Sequence, residues 1–281
     1  MAYSIINGKE LSQKIQEEIK EKIACLKTCP HLAVILIGDN PASQTYVKNK
    51  EKACQNIGIK SITYHLDKDI KQQELEDFII ELNNDKQING ILVQLPLPKH
   101  LETEKILSLI SPLKDVDGFH PLNTGLLVKG SENAILPCTP KGIIKMLHSV
   151  KEDLSGLNAV VIGRSQIVGL PIAQLLIKEN CTTTVTHSHT KDLSAITQNA
   201  DILVVAIGKP DFINKEHIKK GAIVIDVGIN KTDNGLKGDV DFDSAKTQAS
   251  YITPVPGGVG PMTIAMLLEN TYLAYLNQTT P

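Results

Sequence analysis

The sequence has no tryptophan, and aromatic residues make up only 4% of its 281 positions. No run approaches the ~18 consecutive apolar residues of a membrane-spanning helix. The first residues lack the basic-then-apolar pattern of a secretion signal. Five cysteines are scattered at irregular intervals, which predicts reduced thiols and not a disulfide framework. We therefore expect a cytoplasmic protein with no membrane partner.

Charge of either sign is also nearly balanced, with a net charge of −2 and a pI of about 6.4. This balance argues against a nucleic-acid partner, because a dedicated nucleic-acid binder carries a basic field. Hydrophobic residues make up 42% of the 281 residues, which is enough for about two domains with real cores. Short β-branched runs alternate with amphipathic stretches, and this alternation predicts an α/β fold.

The most informative stretch is residues 160–171, where a strand, a glycine turn and a helix follow one another. Asn158–Ile162 is β-branched and predicts a buried parallel strand, which Gly163 ends. Gly169 then opens a helix, so free backbone N–H groups and the helix dipole favour an anion at the turn. Arg164 and Ser165 break the G-x-G-x-x-G fingerprint, so an ordinary strand-to-helix turn remains an alternative.

The next predicted strand, Thr182–Thr186, carries information about the cofactor. In NAD-binding units an acidic residue follows this strand and binds the ribose, but here no acid occurs before Asp192. A neutral-to-basic end suits the 2′-phosphate of NADP, and Arg164 can supply a fixed charge. The alternative is that His187 and His189 merely cap the strand. A metal site there lacks further ligands at suitable spacing, so we expect no metal.

The periodicity predicts the remaining elements. The predicted helices cover residues 8–27, 42–56, 72–82, 102–110, 141–147 and a last helix to about 276. The predicted strands cover residues 32–37, 62–66, 90–95, 158–162, 182–186, 202–207 and 222–227.

Several unusual residues fall where a binding site is expected. Tyr46 and Lys50 share one helix face after the first strand, and Gln94 ends the apolar third strand. Open α/β sheets bind ligands outside the carboxyl ends of their strands. The acids at 115 and 117 lack the later positions of a calcium loop. The proline- and glycine-rich stretch 253–263 predicts a backbone contact with a ligand.

Six stretches resemble the bifunctional 5,10-methylenetetrahydrofolate dehydrogenase/5,10-methenyltetrahydrofolate cyclohydrolase family, in family order and nearly from end to end. They are residues 41–50, 90–98, 114–119, 137–140, 163–171 and 254–263. The resemblance implies two α/β domains, the second a Rossmann-like NADP-binding domain, with a folate cleft between them. It also implies a homodimer. The folate-binding domain is expected at 1–139 plus 263–281, and the NADP-binding domain at 140–262.

The resemblance also assigns roles to individual residues. It implies that Lys50 is the catalytic lysine, that Tyr46 stacks on the folate, that Gln94 tunes the lysine and that Asp117 holds the pterin. The implied folate wall is Pro256, Gly257 and Gly258. The implied NADP contacts are Gly163, Arg164, Ser165, Ser188 and Ile229.

The implied activity is NADP-dependent oxidation of methylenetetrahydrofolate, followed by hydrolysis to 10-formyltetrahydrofolate with Lys50 as acid and base. Two alternatives stay open at this point. A different NAD(P) oxidoreductase, such as a shikimate-type dehydrogenase, leaves the Tyr46–Lys50 helix and the 254–263 stretch unexplained. A nucleotide-binding module without catalysis leaves the intact Lys50 and Gln94 unexplained.

Overall fold

The structure is a computed structural model that describes residues 3–233 and 235–279. Its Cα positions separate into two compact units. Among the described residues, the three-stranded unit consists of Lys14–Cys138 and residues 264–279. The six-stranded unit consists of residues 3–13, 139–233 and 235–263.

Short strands and helices alternate along most of the chain. The strands are β1 (Ser4–Ile5), β2 (His31–Ile37), β3 (Lys60–Leu66), β4 (Gly90–Val93), β5 (Asn158–Ile162), β6 (Thr182–Thr186), β7 (Ile202–Val205), β8 (Ile223–Asp226), β9 (Asn230–Thr232), β10 (Gly235–Lys237) and β11 (Tyr251–Ile252). The helices are α1 (Gly8–Ala24), α2 (Pro41–Ile57), α3 (Gln72–Asn84), α4 (Thr103–Leu109), α5 (Pro121–Val128), α6 (Cys138–His148), α7 (Gly169–Lys178), α8 (Leu193–Thr197), α9 (Phe242–Ala245) and α10 (Val259–Thr279).

In the three-stranded unit, β2 lies between β3 and β4, and all three strands are parallel. Every residue of β2 after His31 is buried, as expected for a parallel strand covered on both faces. Leu75 and Ile79 of α3 and Ile106 of α4 pack into the same core. The order places the carboxyl ends of β2 and β4 side by side, and ligands bind at this point in open sheets.

The six-stranded unit has the order β1-β11-β8-β7-β5-β6, and every neighbouring pair is parallel. Taken from β5 onward, this is the 2-1-3-4-5 order of a doubly wound sheet, whose direction switches between β5 and β7. Its core includes Val160, Leu203 and Val224. The predicted α/β fold, with two units and a Rossmann-like second sheet, is confirmed.

Several element boundaries differ from the sequence-based expectation. α1 ends at Ala24 and not at residue 27, and α10 begins at Val259, inside the stretch expected to be a loop. α5 was not predicted, because Gly125 and Pro121 obscure so short a helix; the ring nitrogen Nδ1 of His120 caps it by accepting from the amide of Leu122 at 3.0 Å.

The N-terminal segment groups with the six-stranded unit, whereas residues 1–139 were expected to form one domain with 263–281. The reason is backbone pairing, because the amides of Ser4 and Ile6 donate to Ser250 at 2.8 Å and to Ile252 at 2.9 Å. The functional assignment of the two domains stays a prediction. Within the described ranges, no helix has the length and apolar character needed to cross a bilayer.

Candidate active site

Lys50 and Gln94 are hydrogen-bonded in the three-stranded unit, where the side-chain amine of Lys50 donates to Oε1 of Gln94 at 3.0 Å. α2 starts four residues after the end of β2, and Asn40 caps it, because its side chain accepts from the amides of Ala42 at 3.0 Å and Ser43 at 3.1 Å. This cap fixes the register of the helix. Lys50 lies two turns after buried Ser43 on the same face of α2 and is half-buried.

Gln94 is held on both sides. Its backbone amide donates to Ile35 at 2.9 Å, which continues the sheet ladder one residue past β4. Its side-chain Nε2 donates to the carbonyl of Leu95 at 2.8 Å. That bond leaves Oε1 as the acceptor for Lys50, and an ammonium can only donate. The amide therefore orients the lysine without adding a second charge.

Asp117 is partly buried in the loop between α4 and α5, and burial raises the pKa of its carboxyl to about 6. The positive charge of Lys50 opposes this rise, and neighbouring Asp115 adds to it. The thiol of Cys138 makes a weak contact with Asp117 Oδ1 at 3.9 Å. Lys50 thus bonds to Gln94, and its charge acts on Asp117.

Buried polar groups hold the Asp117 loop in place. The Lys114 amine donates to the carbonyl oxygens of Leu82 at 3.0 Å and Asp85 at 2.7 Å, near the end of α3. Asp115 accepts from the Asn123 amide group at 2.8 Å. The backbone amides of Phe119 and His120 also donate to Asp115, at 3.1 and 2.8 Å. These anchors leave Asp117 little freedom to move.

Asn270 of α10 is a further anchor that the sequence analysis missed. It is fully buried, and its Nδ2 donates to the carbonyl oxygens of Val116 and Leu136, both at 2.9 Å. It ties the residue before Asp117 to the segment leading into Cys138. Nothing in the local sequence singles out this asparagine, because its partners lie more than a hundred residues away.

Tyr46 lies one helical turn before Lys50 and is 39% exposed. Burial of part of the ring raises the pKa of its hydroxyl. Residues four apart share a helix face, so the ring and the Lys50 amine project on the same side of α2. The exposed ring offers a flat apolar surface beside the amine.

The glycine turn of the six-stranded unit is tightly packed. Gly163 follows β5 with φ +120°, and a Cβ there would overlap the carbonyl oxygen of Ala206. A Cβ at Gly169 would overlap the carbonyl oxygen of Gly163. Both positions therefore require glycine, which brings the backbone after β5 close to the backbone after β7.

Ser165 has a role in this turn that the sequence did not suggest. Its hydroxyl accepts from the amides of Val168 and Gly169, both at 3.2 Å, and its carbonyl accepts from Leu170 at 3.0 Å. These amides were expected to be free for an anion. Within the described part of the chain, the amides of residues 164, 166 and 167 donate to no protein acceptor, so they stay available to an anion.

The end of β6 forms a turn without a carboxylate. Thr190 accepts from the amide of His187 at 2.9 Å, and Nδ1 of His187 accepts from the amide of His189 at 3.2 Å. Ser188 is exposed at the tip of this turn. Across residues 3–233 and 235–279, no group of three His, Cys, Asp or Glu residues is arranged to hold a metal ion.

The other predicted contacts also lie in the six-stranded unit. Ile229 is 44% exposed directly before β9. Gly257 has φ +103°, and its carbonyl accepts from the amide of Lys9 at 3.0 Å. Pro256 follows a cis peptide bond, and a Cβ at Gly258 would lie 2.5 Å from the carbonyl oxygen of Pro254. This stretch is a closely packed backbone surface tied to the start of α1.

A doubly wound sheet with a tight glycine turn is typical of a nicotinamide-dependent enzyme. The three-stranded unit adds a hydrogen-bonded lysine–amide pair at the carboxyl ends of its strands. Two family models match the chain. The tetrahydrofolate dehydrogenase/cyclohydrolase catalytic domain matches residues 6–117, and the NAD(P)-binding domain of the same family matches residues 137–279. The chain belongs to the tetrahydrofolate dehydrogenase/cyclohydrolase family.

Individual relatives agree with this assignment. The bifunctional protein FolD of Oceanobacillus iheyensis is 56% identical over 275 residues, 96% of each chain. The crystal structure of the bifunctional FolD enzyme of Campylobacter jejuni has a TM-score of 0.96 and 53% identity, covering 98% of this chain and 99% of that one. The Trypanosoma brucei enzyme, solved with NADP cofactor and an inhibitor, has a TM-score of 0.95 and 39% identity with full coverage of both chains.

These matches confirm the predicted family, the bifunctional dehydrogenase/cyclohydrolase class and an NAD(P)-type cofactor domain. They also disfavour the shikimate-type alternative. The roles of single residues, the domain boundaries and the homodimer stay predictions.

Proposed function

We propose that this chain oxidises 5,10-methylenetetrahydrofolate to the 5,10-methenyl cation with NADP+, and then hydrolyses that cation to 10-formyltetrahydrofolate. The observation that carries the proposal is the 3.0 Å hydrogen bond from Lys50 to Gln94 at the carboxyl ends of β2 and β4. An amine held by a neutral amide suits a reaction that moves protons beside a cationic intermediate. The family membership of the whole chain supports the same reactions.

In the oxidation step the chain chiefly binds and orients its substrates. NADP+, when bound, accepts the hydride. The proposed cofactor contacts are Gly163, Arg164, Ser165, Ser188 and Ile229. Gly163 has no side chain and approaches the carbonyl oxygen of Ala206 closely, at the switch point where dinucleotides bind in such sheets. The turn after β6 has no carboxylate before Asp192, and this favours a cofactor with a 2′-phosphate.

The folate is proposed to bind at the three-stranded unit. Tyr46 would stack on its aromatic rings, and Asp117 would accept hydrogen bonds from the pterin. The loop anchors at Lys114 and Asp115 support this role, because a carboxylate that positions a ring must itself be fixed. Pro256, Gly257 and Gly258 are proposed as backbone contacts of the folate.

In the hydrolysis step Lys50 is proposed as the acid and base. Water adds to the methenyl carbon, and one carbon–nitrogen bond of the ring then opens to leave the formyl group. As the neutral amine, Lys50 would take the proton from the attacking water and then give it to the departing nitrogen. The proton of the new hydroxyl leaves to solvent as the carbonyl of the formyl group forms. Gln94 would keep the amine aimed at this point. We also propose that the active form is a homodimer.

The test is a spectrophotometric assay of the purified protein with methylenetetrahydrofolate, run separately with NADP+ and NAD+. We expect reduced nicotinamide to form with NADP+ and to form much more slowly with NAD+. The absorbance of the methenyl product in the same cuvette reports whether it is hydrolysed. No reduction with either cofactor would contradict the proposal and favour a binding module without catalysis.

A further inference from the structure

Two carboxylates are buried in the six-stranded unit, and no step proposed above uses them. Asp226 is the last residue of β8, and Asp239 follows β10 by two residues. They are 3% and 0% exposed. A buried carboxylate is costly unless hydrogen bonds replace its water. The groups that donate hydrogen bonds to these two carboxylates therefore indicate their structural role.

Asp239 binds the turn that follows β7. Its Oδ2 accepts from the amides of Ile207 at 2.7 Å and Gly208 at 2.9 Å. Its Oδ1 accepts from the amide of Lys209 at 2.8 Å and from Nδ2 of Asn230 at 2.8 Å. Three successive amides past the end of a strand thus point at one carboxylate, which fixes the conformation of the whole turn.

Asp226 holds Asp239 in turn. Its Oδ1 accepts from the amides of Gly228 at 3.0 Å and Asp239 at 2.9 Å, and its Oδ2 accepts from Val240 at 2.9 Å. Burial raises the pKa of Asp226 to about 7, and the three N–H donors oppose that rise. The two carboxylates therefore form a chain of hydrogen bonds that runs from β8 to the turn after β7.

The segments held in this way lie at the switch point of the sheet. The turn after β7 adjoins the Gly163 turn, since a Cβ at Gly163 would overlap the carbonyl oxygen of Ala206. Ile229, with its exposed side chain, is flanked by Gly228 and Asn230, which donate to Asp226 and Asp239 respectively. Dinucleotides bind in the crevice at such a switch point. Asp226 and Asp239 thus hold two of the loops that border the switch point.

We propose that Asp239, supported by Asp226, is a positioning residue for the cofactor, setting the backbone of residues 207–209 and the direction of Ile229. The inference rests on the proposed use of NADP by this unit. Asp239 itself does not contact the cofactor. Its effect passes through backbone amides and Asn230, so it changes cofactor affinity and not the hydrolysis chemistry at Lys50.

The experiment compares wild type, Asp239→Asn and Asp241→Asn. An asparagine at 239 keeps the size of the side chain but places an N–H₂ group against donors, and lost bonds to a charged acceptor weaken binding by about tenfold or more. Asp241 is the matched control, since it lies two residues on and caps α9 through the amide of Ser244 at 3.1 Å. NADPH dissociation constants are measured by nicotinamide fluorescence, and hydrolysis by the loss of methenyl absorbance.

We expect Asp239→Asn to raise the NADPH dissociation constant about tenfold while hydrolysis stays within about twofold, and Asp241→Asn to change neither. Unchanged affinity in Asp239→Asn would overturn the inference. A parallel loss of affinity and hydrolysis would also overturn it, because that result indicates a purely structural role. Failure of the wild type to bind NADPH would instead contradict the proposed function.

A second measurement needs no variant and covers the case in which Asp239→Asn does not fold. Hydrogen exchange of the wild type without cofactor reports directly on the amides of residues 207–209. We expect their exchange to be slower than that of an open loop by about a hundredfold or more, because each donates to a buried carboxylate. Exchange at the rate of an unprotected loop would overturn the inference.

Discussion

The two units place their candidate sites at the same point of a parallel sheet, but one site is built from side chains and the other from backbone. β2 lies between β3 and β4, β5 lies between β6 and β7, and each candidate site follows the ends of these strands. In the three-stranded unit the site consists of side chains, with Lys50 bonded to Gln94. In the six-stranded unit it consists of backbone, shaped by glycines and by buried Asp239.

This difference fits what each site is proposed to do. Proton transfer needs a titratable group at a fixed point, so its residues project into the site. A dinucleotide is bound by backbone N–H groups that approach its phosphates closely. The residues that shape this backbone are therefore buried beneath the binding surface. Substitutions in the two units should therefore have different consequences, and each prediction below tests one side of the contrast.

The largest expected effect is on hydrolysis in Lys50→Met. General acid–base catalysis typically contributes about 10²- to 10⁴-fold, so we expect methenyl hydrolysis to fall at least about 100-fold. The oxidation should retain much of its rate, because it needs orientation more than a proton acceptor. Lys48→Met is the matched control, since this exposed lysine lies on the same helix and should leave both rates unchanged.

The next effect concerns the loop that carries Asp117. Gly118 has φ +74°, and a Cβ there would lie 2.6 Å from the carbonyl carbon of Leu136. Gly130 has φ +70° with open space around it. Urea unfolding should therefore show a loss of about 1 kcal/mol for Gly130→Ala and of about 3 kcal/mol or more for Gly118→Ala. Equal losses of unfolding free energy in the two variants would mean that the Asp117 loop moves to accommodate the added methyl group.

A smaller effect is expected on cofactor choice in Arg164→Ala. Arg164 is proposed as a charged donor to the 2′-phosphate, so its removal should lower the NADP+ to NAD+ ratio of kcat/KM by about tenfold. NAD+ itself is the internal control, since it lacks that phosphate. A ratio equal to that of the wild type would place the selectivity elsewhere, with the turn containing Ser188 as the first candidate.

The smallest effect is a pH dependence of stability at Asp117. Burial raises its pKa from 3.8 to about 6, so the folded protein binds this proton more tightly than the unfolded chain does. The stability from this group is complete below pH 3.8 and is lost as the pH rises through 6. Asp117→Asn should therefore gain about 1 kcal/mol relative to wild type between pH 4 and pH 7, after allowance for solvent screening. A difference that is independent of pH in urea unfolding would contradict this account.

The sequence predicted the main parallel strands and most helices because β-branched runs and helical spacing are local signals. It also predicted the positions of Lys50 and Gln94 after their strands. It missed β1, whose two residues are defined by pairing with β11. It missed the roles of Asn270 and Asp239 for the same reason, since their partners are distant in sequence and meet only in the folded chain.

The contrast between the units is tested most directly by a time course of Lys50→Met with methylenetetrahydrofolate and NADP+. Absorbance would follow reduced nicotinamide and the methenyl product together. We expect nicotinamide reduction to continue while the methenyl product accumulates in equal amount, because oxidation proceeds without the hydrolytic lysine. If both reactions instead stop together, or if the methenyl product is hydrolysed at the wild-type rate, the assignment of hydrolysis to Lys50 is wrong.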